Sequence, residues 1–347
     1  MSEYDKPPEL YDGLRLHQNE NTGGCSPRVL EALASIRADQ VSVYPPYSGV
    51  VAACARHLGV PDDHVALVNG LDEGILAATS ALLRPSPGEP LREAIVPQPA
   101  FEIFAFDSQV AGGRVVNVMP RPGFAFALDE VLAAITAETR IVFVTNPNNP
   151  TGVPVPREAV IAVSRRLPPQ AIVFLDEAYV DFSGGTFIPD LPAFQNVVIG
   201  RTFSKAYGLA GLRIGALVGH PATLDPLRRV IPVYSVNLAA VVALQAALED
   251  EGYVADYVRQ VAESKALLYA ACDRIGLEHW KSAANFVLVR VGDRAGALVA
   301  VAAARGIYLR DRSNEPGCDG CVRITTGVVE HTRRAVTVIE SVLCNAQ

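Results

Sequence analysis

The chain has 347 residues, half of them apolar and only 19% charged, which suits a folded protein of about two domains and excludes a disordered one. A net charge of −7 argues against nucleic acid or an anionic membrane surface as partner, since both call for a basic face. No apolar run approaches the ~20 residues of a membrane-crossing helix, and the polar segment 1–13 has no charged-then-apolar leader, so a cytoplasmic location is expected.

Residues 26–37 predict a helix, with Ser26 as its cap and Pro27 in its first turn, and 48–58 predict a second. Short apolar runs then alternate with amphipathic ones. Strands are expected at 65–69, 93–97, 140–146, 171–179, 196–202 and 213–219, with helical stretches from Asp72, from Ala100 and over 156–167. These strands are solidly apolar rather than alternating, as in a sheet covered on both faces. The fold class is therefore α/β, with a mostly parallel central sheet covered by helices and ligands bound outside the strands' carboxyl ends. After residue 235 the pattern changes to helices at 238–250 and 253–275, a strand at 285–291 and a helix at 294–305. Strands near 307–310 and 321–325 and a final helix from 330 complete it. This predicts a smaller α+β domain of 1–40 and 236–347 beside a large domain of 41–235.

Six cysteines are too few for a disulfide framework. Cys318-Asp-Gly-Cys321 has no second pair at zinc spacing and no strand-then-helix context, so it reads as two reduced thiols in a loop. The histidines are isolated, and no metal centre is expected.

Three segments carry chemistry, each directly after an apolar run. Arg201-Thr-Phe-Ser-Lys205 leads into Gly208, Gly211 and Arg213. A lysine just past a buried strand can be held largely neutral by desolvation, and a neutral amine attacks carbonyls. Thr202, Ser204 and Arg213 suit a phosphate, Arg213 as a bidentate donor. A non-covalent phosphate loop is the plainer alternative. Ile172-Val-Phe-Leu-Asp176 puts a carboxylate at a strand end. If buried, it needs a cation, and a pyridinium nitrogen is a suitable one. Tyr179, three residues on, can return a hydroxyl to the same place. Thr145-Asn-Pro-Asn-Asn149-Pro-Thr-Gly152 is by composition a turn offering amide donors.

In this order the segments resemble the fold-type I aminotransferases, and in wording the histidinol-phosphate aminotransferase family. Asn69-Gly-Leu-Asp72-Glu-Gly74 is similar to its phosphate-binding turn at a helix start. Pro99-Ala-Phe101 resembles the segment that stacks a ring on the cofactor, and Val43-Tyr44-Pro45 the one that lends a tyrosine to the partner subunit. Gly306-Ile-Tyr-Leu-Arg310-Asp311 and Gly320-Cys-Val-Arg323 resemble the pair carrying two substrate-binding arginines. The likeness runs from about residue 14 to 343.

The resemblance implies pyridoxal 5'-phosphate, held as a Schiff base on Lys205, which then acts as general base. It implies that Asp176 keeps the pyridine nitrogen protonated and that Asn149 and Tyr179 bond the ring's phenolic oxygen. Gly70, Leu71, Asp72, Thr202, Ser204, Arg213 and the partner's Tyr44 would hold the phosphate, and Phe101 would stack on the ring. Arg323, with Arg310, would take the substrate's anionic end, and Asn19 to Asn21 would line the substrate mouth. The implied partners are a small amino donor and a 2-oxo acid, and a second copy of the chain in a homodimer. The implied reaction is transamination of histidinol phosphate. An aromatic amino-acid aminotransferase and a decarboxylase of a phosphorylated amino acid such as threonine phosphate stand as alternatives. Three positions depart from the pattern. Phe101 replaces a tyrosine, Leu71 a small residue, and the His17-Gln-Asn-Glu-Asn-Thr segment lacks a following proline.

Overall fold

The computed structural model describes residues 12–344, so the segment 1–11, part of the stretch read for a leader, lies outside the described residues, as does the side chain of Cys344. A seven-stranded sheet organises the molecule. Its order is Val65–Val68, Gly215–Gly219, Val197–Thr202, Ile172–Asp176, Thr139–Thr145, Glu93–Pro97 and Arg114–Val118. Gly215–Gly219 alone among these runs against its neighbours, and every other pair in the row is parallel.

The inner strands are buried on both faces because their central positions are apolar. Along one of them Ile172 and Phe174 pack with Phe104, Phe143 and Ile75 on one side. Val173 and Leu175 pack with Val142, Val144 and Ile199 on the other. Helices Leu71–Leu82, Ile103–Val110 and Arg157–Arg166 follow their strands and cover these faces. The register then aligns the strand ends, with Thr145 opposite Asp176, Asp176 opposite Gly200, and Thr202 opposite Gly215. The polar motifs thereby meet at one edge.

The first helix is shorter than expected. It spans Pro27–Ala34, with Ser26 accepting from Arg28 N at its start. Ser35 ends it by turning its hydroxyl back onto Ala32 O at 2.7 Å. Helices Pro27–Ala34, Ser48–Leu58 and Leu238–Leu248 share a core with Phe203 and Ile214, against the sheet. A smaller antiparallel sheet follows in the order Arg310–Asp311, Cys321–Thr325, Phe286–Arg290, Glu278–His279. Helices Glu251–Arg274, Ala295–Ala304 and Val329–Cys344 back it. Leu14–Arg15 pairs with Ile307–Tyr308 and so ties the amino-terminal segment to this end.

Cys318 lies in a loop as read from the sequence, but Cys321 does not. Cys321 opens a strand, and both are fully buried beside Leu288 and Trp280. Both are free, and among the described residues no cluster of metal-ligating side chains occurs. Among them, too, no helix is long and apolar enough to cross a membrane.

Phe174 is fully buried between Phe143 and the helix layer, two residues before Asp176. Phe174→Ala should lower unfolding stability by about 3–5 kcal/mol in urea titration, the usual cost of an aromatic-sized core cavity.

Candidate active site

A cavity of about 470 Å³ lies between the carboxyl edge of the large sheet and the smaller sheet. Its floor comes from three parallel strands. Asp176 ends one, Thr202 ends the next with Ser204 and Lys205 just beyond, and Asn149 sits in the turn after the third.

Lys205 is enclosed, and its Nζ donates to Gln18 O at 2.9 Å. Burial, then the nearby Arg323 charge, pull its pKa down to about 8, so a useful fraction is the neutral amine near neutral pH. Asp176 is 4% exposed. One carboxyl oxygen accepts from Ala178 N at 2.9 Å, and among the described residues no basic side chain pairs with the carboxyl. Burial pushes its pKa up to about 7. Tyr179 is buried with its hydroxyl accepting from Asn19 Nδ2 at 3.0 Å, and burial raises its pKa. Asn19 Oδ1 in turn accepts from Thr325.

Beside the floor is a cradle for a phosphate. Helix Leu71–Leu82 begins at Gly70, whose φ of 75° is a conformation side chains rarely adopt. A Cβ there would stand 2.6 Å from Arg213 Nη2. Arg213 pairs with Asp72 at 2.8 Å, and Thr202 Oγ1 accepts from Ser204 N at 3.2 Å. Leu71 is accommodated because Gly200 lies beneath it. A Cβ on Gly200 would be 2.7 Å from Leu71 Cδ1. Only the backbone N–H of Leu71 is then needed at the helix start. Phe101 lies half-buried on the cavity wall, edge-on to Phe104.

The far wall is basic. Arg323, 6% exposed, donates to Asn149 Oδ1 and, at 2.7 Å, to His17 O. Its guanidinium lies over the Phe286 ring at 5.3 Å. Burial and the neighbouring Arg312 hold its pKa down to about 9. Arg310 and Arg15 also line this wall, together with a neutral His17 whose pKa is lowered to about 4, first by burial and then by Arg15, Arg310 and Arg323.

The structure thus brings Asn19, Leu71, Asp72, Phe101, Asn149, Asp176, Tyr179, Thr202, Ser204, Lys205, Arg213, Arg310 and Arg323 to one cavity, with Gly70 at its rim. Asn21 is not among the lining residues, and Tyr44, expected to serve the partner's site, lies outside this one. Tyr44 is 72% exposed, on the outer surface and stacked on Tyr234 at 4.1 Å. Asn21 is spent on backbone, donating to Ala206 O and accepting from Gly23 N. Arg312, His17, Gln18 and Glu102 line the cavity and were not picked out from the sequence. Arg312 carried one usable signal, its place two positions after Arg310, on the same strand face.

Pyridoxal phosphate fits this donor set. A buried carboxyl without a cation suits a ring nitrogen, a partly neutral lysine suits an aldehyde, and a helix start with Arg213 suits a phosphate. An α/β sheet of this order with such a lysine and carboxylate at its carboxyl edge defines a fold-type I pyridoxal-phosphate enzyme. Comparison with known proteins agrees. The chain matches the family described as aminotransferase class I and II over residues 11–339. It is 38% identical to histidinol-phosphate aminotransferase 2 of Ralstonia nicotianae over 96% of this chain and 90% of that one. It is 34% identical to the histidinol-phosphate aminotransferase of Moorella thermoacetica, over 99% and 89%. The histidinol-phosphate aminotransferase of Sinorhizobium meliloti, solved with pyridoxal 5'-phosphate, superposes with a TM-score of 0.87 at 28% identity, covering 97% of this chain and 92% of that one. The chain belongs to the class I and II aminotransferases and is a pyridoxal-phosphate-dependent aminotransferase.

The buried carboxyl has a consequence for stability. Folding raises the Asp176 pKa from the ordinary ~3.9 to about 7. Between those values the folded chain holds a proton that the unfolded chain releases, so this group's contribution to stability falls as pH rises through the window. Cofactor-free Asp176→Asn should therefore be more stable than the cofactor-free parent at about pH 8, by roughly 1–4 kcal/mol, with the difference vanishing toward about pH 4. Urea titrations at the two pH values check this, and a variant no more stable at the higher pH refutes it.

Proposed function

We propose that this enzyme moves the amino group of L-histidinol phosphate to 2-oxoglutarate, working as a cytoplasmic homodimer. The observation that carries the reading is Arg323, a fixed and buried cation facing Lys205 across the cavity, oriented by Asn149 and His17 O. Both substrates have an anionic end and an end that must reach Lys205. The names of the relatives support the donor.

When bound, pyridoxal phosphate supplies an aldehyde that condenses with amines and a ring that takes up the electron pair released at Cα. The residues do the rest. The phosphate is held by the Gly70–Asp72 backbone at the helix start, by Thr202 and Ser204, and by Arg213. Asp176 would pair with the ring nitrogen and keep a proton on it, Asn149 and Tyr179 would donate to the phenolic oxygen, and Phe101 would pack on the ring. Lys205 Nζ, held partly neutral in the cavity, would take the donor's Cα proton. Arg323 with Arg310 anchors the anionic end, and Asn19 sets Tyr179. The division of the chain into a cofactor part at 41–235 and a substrate part from the flanking segments belongs to this reading. Helices Pro27–Ala34 and Leu238–Leu248 of the flanking segments pack in a core with Phe203 and Ile214 and would join the two parts.

The test is a single-turnover absorbance measurement. The cofactor-loaded enzyme is mixed with L-histidinol phosphate while 2-oxoglutarate is withheld. Conversion of the aldehyde-form absorbance at low donor concentration, with L-phenylalanine far weaker, is expected. Lys205→Ala should show neither turnover nor the lysine-bound absorbance. Conversion by phenylalanine or tyrosine alone moves the function to aromatic amino acids, and carbon dioxide release moves it to decarboxylation.

The dimer rests on an apolar strip. Val41, Val43, Tyr44, Val233 and Tyr234 are all more than half exposed and lie together around the Tyr44–Tyr234 stack. Such a strip marks an association surface. Sedimentation should find a dimer at working concentrations, and Tyr44→Ala should release cofactor more readily. A fully active monomer overturns the assignment.

A further inference from the structure

Arg310 stands directly across from Arg323 in the antiparallel pair Arg310–Asp311 with Cys321–Thr325. The pairing continues one step further, since Arg312 N donates to Cys321 O at 2.9 Å. Positions two apart on a strand share a face. Arg310, Arg312 and Arg323 therefore project together, and all three line the cavity.

Arg312 is 6% exposed, an unusual burial for an arginine that is not tightly paired. Its Nη1 reaches Glu102 Oε1 at 3.4 Å and its Nη2 reaches Glu315 Oε1 at 3.3 Å. Charge-assisted N–H···O bonds usually run about 2.7–2.9 Å, so both are loose. Its Nε has no hydrogen-bond partner, and neither does the Nε of Arg323. A guanidinium carries five N–H donors in a fixed fork. Here two forks stand side by side, each with donor capacity left over. Buried like charges are costly until an anion joins them, and after burial Arg312 is the charge that most lowers the Arg323 pKa.

We propose that Arg312 is a specificity residue of this site, joining Arg323 to receive a phosphate monoester and so favouring a doubly charged donor over singly charged carboxylate ends. The proposal rests on the transaminase reading above. A carboxylate fills one bidentate fork. A phosphate monoester brings three acceptor oxygens and a second charge, and it can occupy two forks at once. Glu102 holds the place in the meantime, at a distance an entering phosphate can displace.

The experiment compares cofactor-loaded parent, Arg312→Gln and Arg312→Lys enzymes in separate half-reactions, with inorganic phosphate as competitor. Arg312→Gln should raise KM for L-histidinol phosphate by roughly 10- to 100-fold, as for a lost charged hydrogen bond, with kcat nearly unchanged. The glutamate half-reaction should stay within about threefold, a shift under 1 kcal/mol. Inhibition by inorganic phosphate should weaken in parallel, and Arg312→Lys should recover part of both. Glu102→Gln, which frees Arg312, should strengthen inhibition by phosphate, and this holds as a test even where Arg312→Gln folds poorly. Equal losses in both half-reactions, or weaker phosphate inhibition in Glu102→Gln, make Arg312 a latch between the two walls and overturn the proposal. Phosphate inhibition unchanged in Arg312→Gln overturns it as well. A parent enzyme inert to histidinol phosphate but still inhibited by phosphate through Arg312 removes the assigned donor and leaves the phosphate subsite standing.

Discussion

Desolvation of charge at the carboxyl edge of the large sheet is the constraint on which the rest of the site depends. Asp176 ends a strand whose preceding residues are all apolar, so its carboxyl is taken out of water with only one backbone N–H in return. The folded chain alone answers by holding a proton there. A cofactor with a basic ring nitrogen answers better, because it supplies the opposite charge in the place the chain leaves for it. The same dry environment lowers the pKa of Lys205. One physical cause thus prepares both the electrostatic partner and the nucleophile, and no separate device is needed for either.

The far wall works by the opposite arrangement. There the charges are numerous and arginine-based, and arginine does not shed its proton at working pH. Repulsion among them is tempered by Glu20 on Arg15 and by Glu102 and Glu315 on Arg312. His17, lying among three of these cations, stays neutral and adds no further charge. A basic wall whose counter-charges on Arg312 are loosely held can exchange one anion for another, as an enzyme with two anionic substrates requires.

Much of this was legible in the sequence because strand ends and ordered motifs coincide. Asp176, Asn149 and Lys205 each follow an apolar run, and a parallel sheet brings such positions to one edge. What was not legible has physical reasons. The edge strand Arg114–Val118 is partly exposed and mixes polar residues, so it carries no solid apolar run. Gly215–Gly219 reads as one more buried strand, since composition does not encode direction. Arg312 follows a strand of only two residues and takes partners from Glu102 and Glu315, so its two-residue spacing from Arg310 is a weak mark. Asn21 resembled a substrate contact because its motif does, yet its amide bonds Ala206 O and Gly23 N and does not line the cavity.

The segment around residues 17–19 is stapled across the site by partners remote in the chain. Lys205 donates to Gln18 O, Asn19 to Tyr179, and Arg323 to His17 O, across separations of 187, 160 and 306 residues. During synthesis this segment leaves the ribosome before Tyr179, Lys205 and, 306 residues on from His17, Arg323. The large sheet can be assembled well before that. The wall over Lys205 cannot close until Arg323 has been made, so the site is completed only after all strands of the large sheet are available. A nascent chain can thus present the lysine and the carboxylate long before it can retain a substrate.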